Sequence, residues 1–311
     1  ENEEEMQKRY SQSAQAVYQE IVWPSLTSIA SRTGAKMTCM MTPQFTYTDE
    51  EEPDGENVTY YLKRLKEEHA EAGLSADSRE GIPLSEKIKQ DQTFWQTYAP
   101  SYRFLSLYAD GVKSIGEESA LPAEIRTVAL GSGASEAVGY LNENVTLQPS
   151  TSSGIRHTFL DDFKVKCMET ALGYSNITLD LYSVTYPEGD EDSWEKMSKK
   201  IAANLGTYWK AYEAFDATTL TESDVRIRRF LALDYKQQRA GNVITLSLEH
   251  REDAAWFLLR LHGEKVTEVA GGSFEEIEDG VYLILAEEDE VSVEVQNGET
   301  WQYQDGGKCG D

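Results

Sequence analysis

The order of apolar and polar positions between Val22 and Arg79 sets the class of this chain. In the segment NVTYYLKRLKEEHAEAGLSADSR, residues Val58, Tyr61, Leu62, Leu65, His69 and Ala72 recur at spacings of three and four, the stripe of a helix facing a core. Gly73 follows as its predicted stop. Upstream, Lys36 to Met41 lies between Gly34 and Thr42-Pro43; it is too short for a helix and apolar enough for a strand covered on both faces. Helix, strand, helix, strand is a βαβ unit of a parallel sheet. The rhythm continues with a helix over 84–98, strands over 102–108, 125–130 and 145–148, a helix over 159–172 and a strand over 177–182. Two more helices open with capping-box spacings, Asp192 with Glu195 and Thr221 with Asp224. Residues 2 to 31 read as helix, with Ala14, Val17, Tyr18, Ile21, Leu26 and Ile29 on one side and a kink or break expected at Pro24.

Beyond Gly241 the period changes. VITLSLEH, AAWFLLRLHG, KVTEVAGG, GVYLILAE and EVSVEVQNGE are short alternating runs separated by turn signals, with no helical pattern between them. The expected fold is therefore α/β: a (β/α) barrel, complete or incomplete, over residues 1–238, then a small antiparallel β-sandwich over 239–311. The closing QDGGKCGD reads as a frayed tail.

The pattern of helix, PSL, GAK and strand near residue 22, and the stretch Glu71-Ala72-Gly73-Leu74-Ser75-Ala76-Asp77-Ser78-Arg79, resemble the start of a polysaccharide deacetylase domain of the nodulation type. In that family the second stretch reads E-I-G-N-H-T-x-S-H, and its two histidines bind the catalytic metal. Ser75 and Arg79 occupy those histidine positions here. The family's paired aspartates would precede Val22, where residues 1 to 21 form an acidic helical stretch without such a strand. The resemblance implies a barrel acting on a polysaccharide or oligosaccharide, with an appended β domain and without the family's metal site.

Composition narrows the partners. At 311 residues the chain has room for one barrel-sized and one small domain. A net charge of -26, with no Lys/Arg cluster interleaved with aromatics, makes nucleic acid and anionic membranes poor partners. No segment has the length and apolarity of a membrane span, and the opening ENEEEM has no signal-peptide pattern. The three cysteines, Cys39, Cys167 and Cys309, form no CxxC pair and indicate neither a zinc site nor a disulfide framework. An extracellular or cell-surface location in a bacterium is expected, and the cysteine usage fits the cytoplasm as well. Oligomeric state leaves no trace in the sequence.

Ligand sites in parallel βα sheets lie beyond the carboxyl ends of the strands. The residues just past those ends are the candidates: Gln44, Ser75 and Tyr108 for substrate contact, Asp77 and Asp110 as carboxylates for hydrolysis. No metal or other cofactor is expected. GSGAS at 131–135 lacks the spacings of a phosphate loop. Of the four histidines, His69 belongs to an apolar stripe, and His250 and His262 sit at strand ends as turn residues. His157 precedes Asp161 and Asp162 at metal-like spacing, but acids in the first turn of a helix account for that pair without a metal. Two functional classes follow: a glycan-binding or scaffold module that has lost its metal, or an active carbohydrate hydrolase, deacetylase or glycosidase, using carboxylates.

Overall fold

The computed structural model describes residues 7–8, 10–43, 55–75, 84–115, 121–131, 136–152, 158–170, 173–179, 194–209 and 216–297. It is a mixed α/β protein, with helices around a parallel-strand sheet in one part and antiparallel sheets in another. Two compact units meet within a helix, at Ile227 and Arg228.

In the first unit a short helix, Ala14–Ala16, runs into a π-helical stretch, Val17–Val22, and then into α1, Trp23–Thr33. Pro24 falls in the first turn of α1, where its missing N–H costs no intrahelical bond. The Ser25 hydroxyl donates to the Ile21 carbonyl at 2.6 Å. At Pro24 the chain thus changes helical register from π to α. After Gly34, which ends α1 at a φ of 74°, come β1 (Thr38–Met41), α2 (Gly55–Glu67) and β2 (Glu71–Ser75).

Here the structure corrects the apolar stripe. Helix α2 stops at Glu67, and His69, with a φ of 53°, takes the left-handed position usually given to glycine. The Ala70 N–H reaches the Leu65 carbonyl at 2.9 Å and the His69 N–H reaches the Lys66 carbonyl at 3.4 Å, the paired bonds of a Schellman motif. His69 is exposed there and faces no core. Gly73 is not a helix stop; it sits mid-strand, where a Cβ would lie 2.5 Å from Met40 Sδ and 2.6 Å from Ser106 Oγ.

The remaining elements of this unit are α3 (Leu84–Tyr98), β3 (Ser106–Ala109), α4 (Val112–Ile115), β4 (Thr127–Leu130), β5 (Gly139–Asn142), β6 (Val145–Pro149), α5 (Phe159–Thr170), α6 (Trp194–Trp209) and α7 (Leu220–Ala232). The sheet runs β1-β2-β3-β4-β6-β5, parallel except for β5, which pairs antiparallel with β6. An isolated parallel bridge joins Ser152 to Ile177; residues 180–182 of the strand expected there lie outside the described residues.

Period-two alternation and register give this sheet two unlike faces. One carries Met41, Ala72, Leu74, Leu107, Ala109, Val128, Leu130, Val145 and Leu147, packed with α1, α2 and α6 at one end and with Ile115 and Ile125 at the other. The opposite face carries Thr38, Glu71, Ser106, Tyr108, Thr127, Thr146 and Gln148. Ser106, Thr127, Thr146 and Gln148 on it are buried.

The second unit has a four-stranded sheet, β10-β13-β8-β7, and a three-stranded sheet, β11-β12-β9. Their ranges are β7 Asp234–Ala240, β8 Val243–Glu249, β9 Ala255–Arg260, β10 Glu264–Ala270, β11 Gly272–Glu278, β12 Val281–Ala286 and β13 Glu290–Asn297. Ile244, Leu246, Val291 and Val293 of one sheet share a core with Tyr282, Ile284 and Ala286 of the other. Two of the seven strands have no alternating signature: β7 is exposed along its whole length, and β11 is exposed at all but its first residue. Residue 238 lies inside β7.

The backbone around His69 and Gly73 makes a prediction. His69→Gly should raise stability by about 1 kcal/mol by relieving a left-handed non-glycine residue, whereas Gly73→Ala should lower it by about 1–3 kcal/mol through overpacking. Urea unfolding of both variants checks the opposite signs.

Candidate functional site

The polar face of the parallel sheet is closed at the strand starts by the first turn of α7. Glu71, the first residue of β2, accepts from Ser106 Oγ at 2.8 Å, from the Thr221 N–H at 3.0 Å and from the Thr221 hydroxyl. The Leu220 N–H donates to Thr38 Oγ1 at 3.0 Å. Farther along, Gln148 Nε2 donates to Thr127 Oγ1 at 2.7 Å and to the Leu220 carbonyl at 2.9 Å. The Thr127 and Thr146 hydroxyls are 2.9 Å apart, and Thr146 Oγ1 donates to the buried Asp224 at 2.6 Å. The Thr146 hydroxyl thus stands between Asp224 and Thr127, and the Thr127 hydroxyl, which accepts from Gln148, also lies 3.5 Å from the Thr146 carbonyl. The result is a connected network of buried polar side chains.

This arrangement corrects the capping pair expected for α7. Thr219 and Glu222 form the box: the Thr219 N–H donates to Glu222 Oε2 at 2.8 Å and the Glu222 N–H to Thr219 Oγ1 at 3.4 Å. Thr221 and Asp224 turn to the sheet instead. Of the other pair, Asp192 lies outside the described residues.

The carboxyl ends of the strands carry the predicted site. Ser75 and Tyr108 are register partners on adjacent parallel strands, which puts their side chains on one face. The Tyr108 hydroxyl donates to Asp110 Oδ1 at 3.0 Å, and a Cβ on the buried Gly131 would stand 3.0 Å from that hydroxyl. Ser75, Tyr108 and Asp110 are thus brought to one end of the sheet. Gln44 and Asp77 lie outside the described residues, as do Arg79 and His157. At the end of β6, Thr151 Oγ1 donates to the Asn176 carbonyl at 2.9 Å, Asn176 Nδ2 donates to the Gln148 carbonyl at 3.1 Å, and the Tyr174 hydroxyl donates to the Pro149 carbonyl. Burial pushes the Tyr174 hydroxyl above its ordinary range.

Sequence reasoning missed this β6 cluster, whose members come from segments separated by more than twenty residues. It also missed Lys87 and Asp91 on α3, an ion pair at 3.5 Å with both residues less than a tenth exposed. The only sequence signal for it was the i,i+4 spacing of opposite charges.

The family's metal does not fit the residues present. Ser75 offers a hydroxyl and Arg79 a cation where two imidazoles would be needed. His69 stands exposed before β2, at the opposite end of that strand from Ser75. Asp161 caps α5 by accepting from the Thr158 N–H and hydroxyl at 2.8 and 2.7 Å, and Asp162 pairs with Lys166 at 3.0 Å. Among the described residues no three His, Cys, Asp or Glu side chains converge on one point. The Cys39 thiol, pushed up to about 11 by burial, is a packing residue of β1. No helix among the described residues is long and apolar enough to cross a membrane.

No protein-family model and no curated protein matches this chain.

The α7 cap has a pH signature. Burial pushes the Glu222 carboxyl up, but the hydrogen bond from Lys36, the Thr219 N–H and the charges of Lys36 and Arg226 outweigh it and hold the group below its ordinary 4.5. A depressed carboxylate stabilises the fold fully above the unfolded value, and that stabilisation is lost as pH falls through the lower folded value. Glu222→Gln should therefore be less stable than the native chain at neutral pH. The gap should narrow below pH 4.5 in denaturant titrations run across the acid range.

Proposed function

We propose that the first unit is a polysaccharide deacetylase-like βα barrel that binds a polysaccharide or oligosaccharide at the carboxyl ends of its strands without metal-dependent deacetylation. The observation that carries this reading is the convergence of Ser75, Tyr108 and Asp110 at one end of a parallel sheet whose other end is filled by α7. A hydroxyl, an aromatic ring with a hydroxyl, and a carboxylate are the groups that sugars meet: the ring offers an apolar face, and the polar groups exchange hydrogen bonds with ring hydroxyls.

Two features support a barrel. Strands β1 to β4 lie side by side in chain order, with β6 next, as strands do around a βα barrel. One face of the sheet is apolar and covered by helices while the other is polar, with the buried Ser106, Thr127, Thr146 and Gln148 on it. Hydrolysis of an acetyl group through the family's chemistry needs a metal-activated water, and Ser75 and Arg79 are unsuited to hold that metal.

The test is titration calorimetry of the purified chain with chitooligosaccharides and xylan, with acetate release measured on acetylated forms in added zinc, cobalt or nickel. Saturable binding is expected, weakened about tenfold by Tyr108→Ala, with no acetate released. Chelator-sensitive acetate release would overturn the metal-free reading, and no binding to any of these glycans would overturn the ligand class. Tyr108→Phe, which deletes only the hydroxyl bonded to Asp110, should alter folding stability by about 1 kcal/mol or less, so its effect on binding separates the hydroxyl from the ring.

A further inference from the structure

Lys87 and Asp91 form a buried pair on α3 whose place in the fold has no explanation in helix stability. On a helix surface the favourable order puts the acid first, and here the lysine comes first. Buried pairs also gain little over apolar residues of the same size, because both charges must leave water. What distinguishes the pair is what it touches. Lys87 Nζ donates to Thr42 Oγ1 at 3.2 Å, gripping the residue that follows β1. Lys87 and Asp91 share a cavity of about 20 Å³ with Ser75, Met41, Leu74 and Trp95, at the carboxyl ends of β1 and β2. That space suits about one water molecule and is far below the roughly 300 Å³ of a small-molecule site. A sugar therefore cannot enter it, and the pair must act through the residues it holds.

We propose that Lys87 and Asp91 are positioning residues for the strand-end site: Lys87 holds Thr42, Asp91 pairs with Lys87 across one turn of the helix, and together they set the ends of β1 and β2 where Ser75 stands. The geometry explains why the pair sits on the helix that packs beside these two strand ends, and why Trp95, one turn beyond Asp91, closes the same cavity. The function of this device rests on the glycan-binding reading; its structural effect does not.

The test uses the full chain and two variants. Lys87→Met with Asp91→Leu removes both charges together and avoids leaving one buried alone. Thr42→Val keeps the pair and deletes only the hydroxyl it grips. Hydrogen exchange should speed about tenfold or more at Met41, Thr42, Leu74 and Ser75 in the double variant. In Thr42→Val the acceleration should be confined to the end of β1. Amides of Val128 to Leu130 should keep their native rates in both, a pattern that a general loss of stability would not give. Glycan affinity should fall about tenfold in the double variant. Unchanged exchange at the strand ends in both variants, or acceleration spread equally over β4, would overturn the inference. If the native chain binds no glycan, the ligand reading falls while the exchange rates still decide the role of the pair.

Discussion

The fold of the first unit depends on a requirement that no single element can meet: one face of its parallel sheet is polar and buried at its centre. Ser106, Thr127, Thr146 and Gln148 are buried to within a few percent, and a buried polar group without a partner costs far more than a paired one gains. The first turn of α7 supplies the partners. Its unsatisfied N–H groups, which any helix start must place somewhere, go to Thr38 and Glu71, while its Asp224 and the Leu220 carbonyl complete the threonine and glutamine bonds. Helix start and strand starts solve each other's problem.

That solution has a direction. With the strand starts filled by α7, the strand ends of the same polar face carry Tyr108, which donates to Asp110, and Ser75 in register beside it. The opposite face is apolar and packed by helices over its length. At Gly73 and Gly131 a Cβ would meet the side chains of Met40, Ser106 and Tyr108, so these two glycines leave the room that those neighbouring side chains fill on the polar face.

The second unit obeys a different rule. Its two sheets bury one face each in a shared core of valine, leucine and isoleucine with Tyr282, and its long exposed surfaces carry acidic residues that contribute to the charge of -26. Surface ion pairs join Lys236 on β7 to Glu249 on the adjacent β8, and Arg239 on β7 to Glu264 on β10, at exposed sites where each pair contributes little to stability.

Alternating helix and strand patterns and the later period-two runs determined the parallel-sheet half and the antiparallel half, because burial of one face imposes a period that local reading detects. The end of β3 was legible to within a residue, which is how Tyr108 and Asp110 were picked out, whereas Ser75 closes a strand, β2, whose first residues read as helix. Strand β7 was not, since its residues are exposed throughout and carry no alternation; β11 is nearly as exposed and was missed for the same reason. The stop of α2 was misread because the stripe through His69 and Ala72 continues past a turn in which His69 adopts a glycine's backbone and Gly73 serves the strand. The partners of Glu71, Asp224 and Lys87 lie as much as 150 residues away. Hydrogen bonds over that separation depend on which elements the fold brings side by side, so only the tertiary structure decided that α7 fills one end of the polar face and that a buried lysine holds the other.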